Sequence, residues 1–298
     1  MTSAPATPFG TVLTAMATAF HADGSLDLDS TQRIARHLVD HGHDGLVVSG
    51  TTGESPTTTK EEDGEVLAAV RDAVSDHVKL VAGVGTNDTN TSIFLAKQAK
   101  TNGADGVLLV TPYYSKPGQR GILHHFRQVV DAAELPVMLY DVPGRTGSQI
   151  AMESYEQLAT WDAVVAVKDA VGDLVRGVRI MQLGLAIYSG DDISNLAWLA
   201  HGASGFVSVC GHVCGDELRA MYDAFIGGDP AKAREIFVGL LPAIDAIMGA
   251  PSYGATTAKA ALELIGVLDN RQVRSPLIAL DDDEVAALRS GLTASGLL

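Results

Sequence analysis

The sequence predicts a (β/α)8 TIM barrel over residues 1–228, followed by a C-terminal helical extension over residues 229–298. Three observations carry this expectation. Eight short apolar runs rich in β-branched residues alternate with segments of helical spacing, the pattern of a parallel sheet covered by helices. The alternation stops at the turn-rich break Gly227-Gly228-Asp229-Pro230, after which only helical patterns remain. No Gly-x-Gly-x-x-Gly follows the first run, so a doubly wound dinucleotide-binding sheet, the second-ranked fold, lacks its expected mark. The length of 298 residues fits this plan, because α/β barrels use roughly 200–250 residues as one domain.

Taken in order, the predicted strands are residues 12–19, 45–48, 79–84, 106–110, 136–140, 164–168, 185–189 and 205–209. Helical spacing marks residues 29–41, where Ile34, Leu38 and Val39 form an apolar stripe, and residues 61–74, 91–101, 121–133 and 195–201. Beyond the break, helices are expected over 231–248, 254–264 and 283–290.

Composition narrows the function classes. Hydrophobic residues at 46% and charged residues at 19% are those of a packed globular chain. The 21 basic and 36 acidic side chains leave a net charge of −15, and no run of Lys or Arg offers a footprint for phosphate backbones or anionic lipid. Nucleic acid and membrane are therefore not expected as partners. Met1-Thr2-Ser3-Ala4-Pro5 lacks a basic and apolar leader pattern, and a cytoplasmic location is expected. Cys210 and Cys214 are too few for a disulfide framework and are read as reduced thiols.

Barrel enzymes carry their catalytic groups at the C-terminal ends of the strands. Those ends hold Gly50-Thr51-Thr52-Gly53-Glu54-Ser55, Thr111-Pro112-Tyr113-Tyr114, Tyr140-Asp141, Lys168-Asp169 and Ser189-Gly190-Asp191-Asp192. Lys168 closes the apolar run Val164-Val165-Ala166-Val167. A lone lysine there most often snorkels to water past the rim. Held inside the barrel mouth, its amine is desolvated, its pKa falls, and it becomes a nucleophile able to form a Schiff base with a carbonyl substrate. Tyr140 and Tyr114 offer phenols, Thr52 a hydroxyl, and the Thr51-Thr52 loop backbone N–H groups for a carboxylate. Singly, each also reads as rim packing or as a turn capping the next helix. Arg145, in Val142-Pro143-Gly144-Arg145, places a guanidinium fork near the same end, where it could hold a second carboxylate. Among nine histidines none joins a carboxylate cluster at the strand ends, and Cys210-Gly211-His212-Val213-Cys214 matches no usual zinc spacing, so no metal is expected.

Together, the 50–55 loop, Pro112-Tyr113-Tyr114, Tyr140-Asp141-Val142-Pro143-Gly144-Arg145-Thr146 and Val167-Lys168-Asp169-Ala170 resemble the signature segments of the dihydrodipicolinate synthase (4-hydroxy-tetrahydrodipicolinate synthase) family, pyruvate-dependent Schiff-base aldolases of lysine biosynthesis through diaminopimelate. The resemblance implies that Lys168 condenses with pyruvate and that Tyr140, Thr52 and Tyr114 form a proton relay, with Tyr114 completing the site of a neighbouring subunit in a homotetramer. It implies that Thr51 and Thr52 hold the pyruvate carboxylate, and that Gly190 and Val207 contribute backbone near Lys168. It further implies that Arg145 receives the carboxylate of L-aspartate 4-semialdehyde, and that no metal or organic cofactor takes part.

Two departures stand out. Asp141 replaces the Asn of many relatives, placing an acid beside Tyr140 unless strand alternation turns it away. Lysine-inhibited bacterial relatives carry His and Glu where this chain has Lys60 and Thr91, although Ser55, Asn87 and Tyr113 match their feedback pocket; weak or absent lysine feedback is expected. The rival enzymatic reading is a related aldolase, an N-acetylneuraminate lyase or a 2-keto-3-deoxy sugar acid aldolase. A cationic Arg145 favours a short carboxylated aldehyde over a sugar. A catalytically silent barrel acting as a sensor or assembly subunit is the reading from another class.

Overall fold

A computed structural model describes residues 6–298; Met1-Thr2-Ser3-Ala4-Pro5 lies outside them. Eight parallel strands close into a barrel in sequence order, with β1 pairing both β2 and β8. They are β1 (Val12–Ala15), β2 (Gly45–Val48), β3 (Lys79–Gly83), β4 (Gly106–Val110), β5 (Val137–Asp141), β6 (Val164–Asp169), β7 (Ala186–Ser189) and β8 (Gly205–Ser208). The interleaved helices are α1 (Leu28–Asp40), α2 (Lys60–Ala73), α3 (Thr89–Thr101), α4 (Gln119–Ala133), α5 (Pro143–Thr146), α6 (Met152–Leu158), α7 (Leu174–Gln182), α8 (Asn195–Ala200) and α9 (Gly211–Ile226). The closing helices are α10 (Pro230–Met248), α11 (Ala255–Leu264) and α12 (Asp282–Ala294).

The strands read as continuous apolar runs because both their faces are buried. Phe9, Leu13, Val47, Val81, Leu108, Met138, Ala166, Tyr188 and Val207 fill the barrel interior. The alternate residues Leu46, Val48, Leu80, Val107, Leu109, Leu139, Val167 and Ile187 face the helices. This period-2 division decides which polar residues reach the mouth.

The first strand stops four residues earlier than its apolar run. Residues 16–19 stay buried; the Met16 N–H still donates to Val47 O of β2 at 2.9 Å, but beyond it the Ala17 N–H donates to His212 Nε2 at 3.0 Å and the Ala19 N–H to Thr31 Oγ1 at 3.0 Å. Helices α5, α6, α7 and α9 were not anticipated. Helix α9 starts inside Cys210-Gly211-His212-Val213-Cys214, a segment buried in the core. His212 is committed at both nitrogens, with Nδ1 at 2.8 Å from Val209 O, and Cys214 Sγ donates to Cys210 O at 3.1 Å, so these side chains already have protein partners.

Helices α10–α12 form no separate core. Leu240, Ile244 and Ile247 of α10 pack with Leu218 and Met221 of α9, and with Val12 and Phe206 of the barrel wall. The C-terminal region is thereby fixed against the strands, which lets it reach the barrel mouth. Among the described residues no helix is long and apolar enough to cross a membrane.

Candidate active site

Tyr140 and Lys168 are directly paired across β5 and β6, and both side chains take the inward register. Lys168 is 5% exposed, and its Nζ lies 4.5 Å from the centroid of the Tyr140 ring. Snorkelling is thus ruled out by position: the ammonium is inside the mouth. Burial lowers the Lys168 pKa from 10.5 to about 8; the Asp192 carboxylate works against this and Arg145 adds to it. At pH 7 about one amine in ten is then unprotonated, against about one in three thousand for an unshifted lysine. Burial pushes the Tyr140 phenol up to about 12, so it is a neutral hydrogen-bond donor at any working pH. Close approach fixes one glycine here: a Cβ on Gly190 would fall 3.1 Å from Lys168 Cγ and 2.8 Å from Asp169 O.

Asp192, on the loop after β7, is the buried acid opposite this amine. It accepts from Ser208 Oγ at 2.5 Å, from the N–H groups of Val209 and Cys210 at 2.8 and 2.9 Å, and from Asn195 Nδ2 at 3.0 Å. Four donors hold the carboxylate in place.

The next residues along β5 and β6, Asp141 and Asp169, are also register partners, and the pleat turns them outward. Asp141 therefore does not join the wall of the site. It is fully buried beneath α7, where Arg176 Nη2 donates to it at 2.6 Å and the Tyr155 hydroxyl at 3.2 Å. Arg176 Nη1 reaches Asp169 at 3.3 Å, so one guanidinium ties together the residues that follow Tyr140 and Lys168. Burial pushes both carboxyl groups up and is the larger influence; against it Arg176 pulls Asp141 down, and the Gly172 and Val171 N–H groups, then Arg176, pull Asp169 down.

The 50–58 loop is anchored from below by Glu54. This residue adopts φ +59°, is 1% exposed, and accepts from Lys259 Nζ of α11 at 2.5 Å and from the Arg274 N–H at 2.8 Å. The loop does not cap α2, which has its own box built from Thr59 and Glu62. Held in this way, Thr52 is buried and Thr51 exposed, and both line the cavity that contains Lys168. Glu54→Gln leaves one oxygen for two donors, turns an NH2 toward the other, and removes the charge opposite Lys259. It should cost about 1.5–3 kcal/mol in urea unfolding.

That cavity has a volume of about 310 Å³ and brings together Thr51, Thr52, Tyr140, Arg145, Lys168 and Gly190. Arg145 enters it from the single turn α5. Val207 lies one pleat deeper, packed in the barrel interior, and the β8-side residue at the cavity is Val209. Tyr114 stands apart from Lys168, 90% exposed and at φ +70°, on the rim of an adjoining cavity that it shares with Ser55, Tyr113 and Tyr140. Lys60 opens α2 with its ammonium 5.0 Å from the Phe94 ring centroid, and Thr91 sits in the first turn of α3, its N–H donating to Asp88. Met248, Tyr253 and Gly254 of the C-terminal region also line the Lys168 cavity. Neither they nor Glu54 and Asp192 were singled out in the sequence. Glu54 and Asp192 lie within polar strand-end segments; nothing marks the other three.

Residues 8–295 match the sequence profile of the dihydrodipicolinate synthetase family. The chain belongs to that family. A 4-hydroxy-tetrahydrodipicolinate synthase from Kineococcus radiotolerans is 53% identical over 294 residues, covering 98% of this chain and 95% of the relative. A dihydrodipicolinate synthase structure from Bacillus anthracis superposes with a TM-score of 0.91 at 41% identity, covering 96% of this chain and 98% of that one. A synthase from Cyanidioschyzon merolae, solved with lysine bound, gives 0.94 at 38% identity, covering 98% and 100%. The family's Schiff-base barrel is the architecture found here, with a buried lysine at the end of its sixth strand.

Proposed function

We propose that this protein is a 4-hydroxy-tetrahydrodipicolinate synthase condensing pyruvate with L-aspartate 4-semialdehyde. The observation that carries the reading is the buried Lys168 amine in one cavity with the Tyr140 phenol and the Arg145 guanidinium. The unprotonated amine attacks the pyruvate carbonyl carbon, water leaves, and the protonated imine acidifies the adjacent methyl group. Loss of a methyl proton gives an enamine whose carbon bonds to the semialdehyde carbonyl. The acceptor's amine then adds to the imine carbon and displaces Lys168, closing the ring.

Thr51 and Thr52 receive the pyruvate carboxylate, their backbone N–H groups having no acceptor among the described residues. Gly190 supplies backbone beside Lys168, Val207 packs in the barrel interior beneath it, and Arg145 binds the acceptor's carboxylate. A phenol with a pKa near 12 serves as donor and conduit in place of a free base, so Tyr140 passes protons through Thr52 and Tyr114. Tyr114 acts in a neighbouring subunit of a homotetramer. Its exposure and left-handed backbone support this, because a bulky residue keeps such a conformation only where contacts repay it. The barrel to residue 228 carries the chemistry, residues 229–298 brace its mouth, the reaction needs no metal or organic cofactor, and the enzyme works in the cytoplasm. The substitutions at Lys60 and Thr91 weaken lysine feedback.

The test is pyruvate consumption driven by the semialdehyde, with N-acetylmannosamine as rival acceptor. Turnover with the semialdehyde alone supports the synthase; turnover with the sugar moves the chain to the lyases. The pH dependence is also set. Because burial lowers the Lys168 pKa to about 8, the rate of borohydride-trapped imine formation should rise about tenfold per pH unit below that value and level off above it.

A further inference from the structure

Arg145 is the cation assigned above to the acceptor, yet its guanidinium makes no hydrogen bond or ion pair with the described residues. Its recorded partner is an aromatic ring: Arg145 Cζ lies 4.9 Å from the ring centroid of Tyr253. Helix α5 fixes the Arg145 backbone through the Thr146 hydroxyl, which donates to Val142 O at 3.2 Å and to Ser148 O at 2.8 Å. The long side chain beyond Cα is left to choose among rotamers.

Tyr253 comes from the C-terminal region and is placed there by two contacts. Its N–H donates to Ala250 O at 3.1 Å, closing a turn immediately before α11. The next residue, Gly254, holds φ +110°, a conformation glycine accepts without strain, and its missing Cβ would lie 4.0 Å from Thr52 Oγ1. The turn thus rests against the 50–58 loop, and Tyr253, 40% exposed, lines the same cavity as Lys168. A guanidinium on an aromatic face is attracted by the ring while keeping its N–H edge available to a carboxylate.

We propose that Tyr253 is a positioning residue for the acceptor, its ring holding the Arg145 guanidinium at the cavity mouth so that the aldehyde's carboxylate meets a preset fork. The C-terminal extension then contributes to acceptor selection as well as to packing. The inference rests on the synthase reading.

The experiment compares wild type, Tyr253→Ala and Tyr253→Phe in steady state and in pyruvate trapping by borohydride. Tyr253→Ala should raise the semialdehyde KM roughly five- to tenfold with kcat within about twofold, the scale of a partly exposed cation–π contact. Its pyruvate KM and trapping rate should match wild type, and Tyr253→Phe should recover most of the loss. With Arg145→Lys already present, Tyr253→Ala should add less than a further twofold. An unchanged semialdehyde KM in Tyr253→Ala, or a matching loss in pyruvate trapping, would overturn the proposal. Wild-type protein that traps pyruvate but ignores the semialdehyde would instead remove the synthase reading on which it depends.

Discussion

Replacing Lys168 with alanine should abolish measurable condensation, lowering turnover by at least about 10⁴-fold while the protein stays folded. The asymmetry follows from the site. In the proposed reaction the Lys168 amine is the nucleophile, and burial makes its charged form costly to the fold, so the fold does not depend on it. Asp192 retains four donors and Tyr140 remains packed at the strand end. Steady-state turnover and circular dichroism on the same preparation check both halves. An alanine variant with a tenth of wild-type activity would mean that another group carries the chemistry.

The second large effect is on stability. Arg176→Met would leave Asp141 and Asp169 buried without their shared cation and should cost about 3–5 kcal/mol in urea unfolding. The pH dependence has a definite sign. Both carboxyl groups have folded-state pKa values raised by burial, so the folded chain holds protons that the unfolded chain releases, and stability falls as pH rises through that range. Losing Arg176 raises them further, so the gap between variant and wild type should be smaller at an acidic pH than at an alkaline one. Asp141→Asn should be mild, because Arg176 and Asp169 would still balance. A variant equally destabilised at both pH values would show that the ion cluster is not the cause.

The barrel was legible because each strand is buried on both faces, which leaves an apolar run bounded by turn residues, and because Lys168 and Tyr140 each end such a run. The first strand misled the reading in length: residues 16–19 are as apolar as a strand, yet Ala17 and Ala19 hydrogen-bond to side chains of α9 and α1 and leave the sheet. Helices α6 and α7 escaped because the faces they bury carry Ser154 in α6 and Arg176 and Gly177 in α7, which break the apolar stripe that periodicity reads. The supporting pairs were invisible for a different reason. Glu54 and Lys259 are 205 residues apart, and Arg176 lies 35 from Asp141; an acid and a base that meet only in the fold leave no local pattern. Tyr253 likewise sits in a turn whose sequence says nothing about the barrel mouth it faces. Asp141 was placed by strand alternation alone, once β5 was known to continue through it.

The central claim is that Lys168 forms an imine with pyruvate, and reductive trapping tests it most directly. Wild-type protein incubated with pyruvate and borohydride should gain one reduced pyruvate adduct per chain, confined to the peptide containing Lys168, and Lys168→Ala should gain none. An adduct on Lys259 or any other lysine, or a folded wild-type protein that gains no mass, would contradict the account.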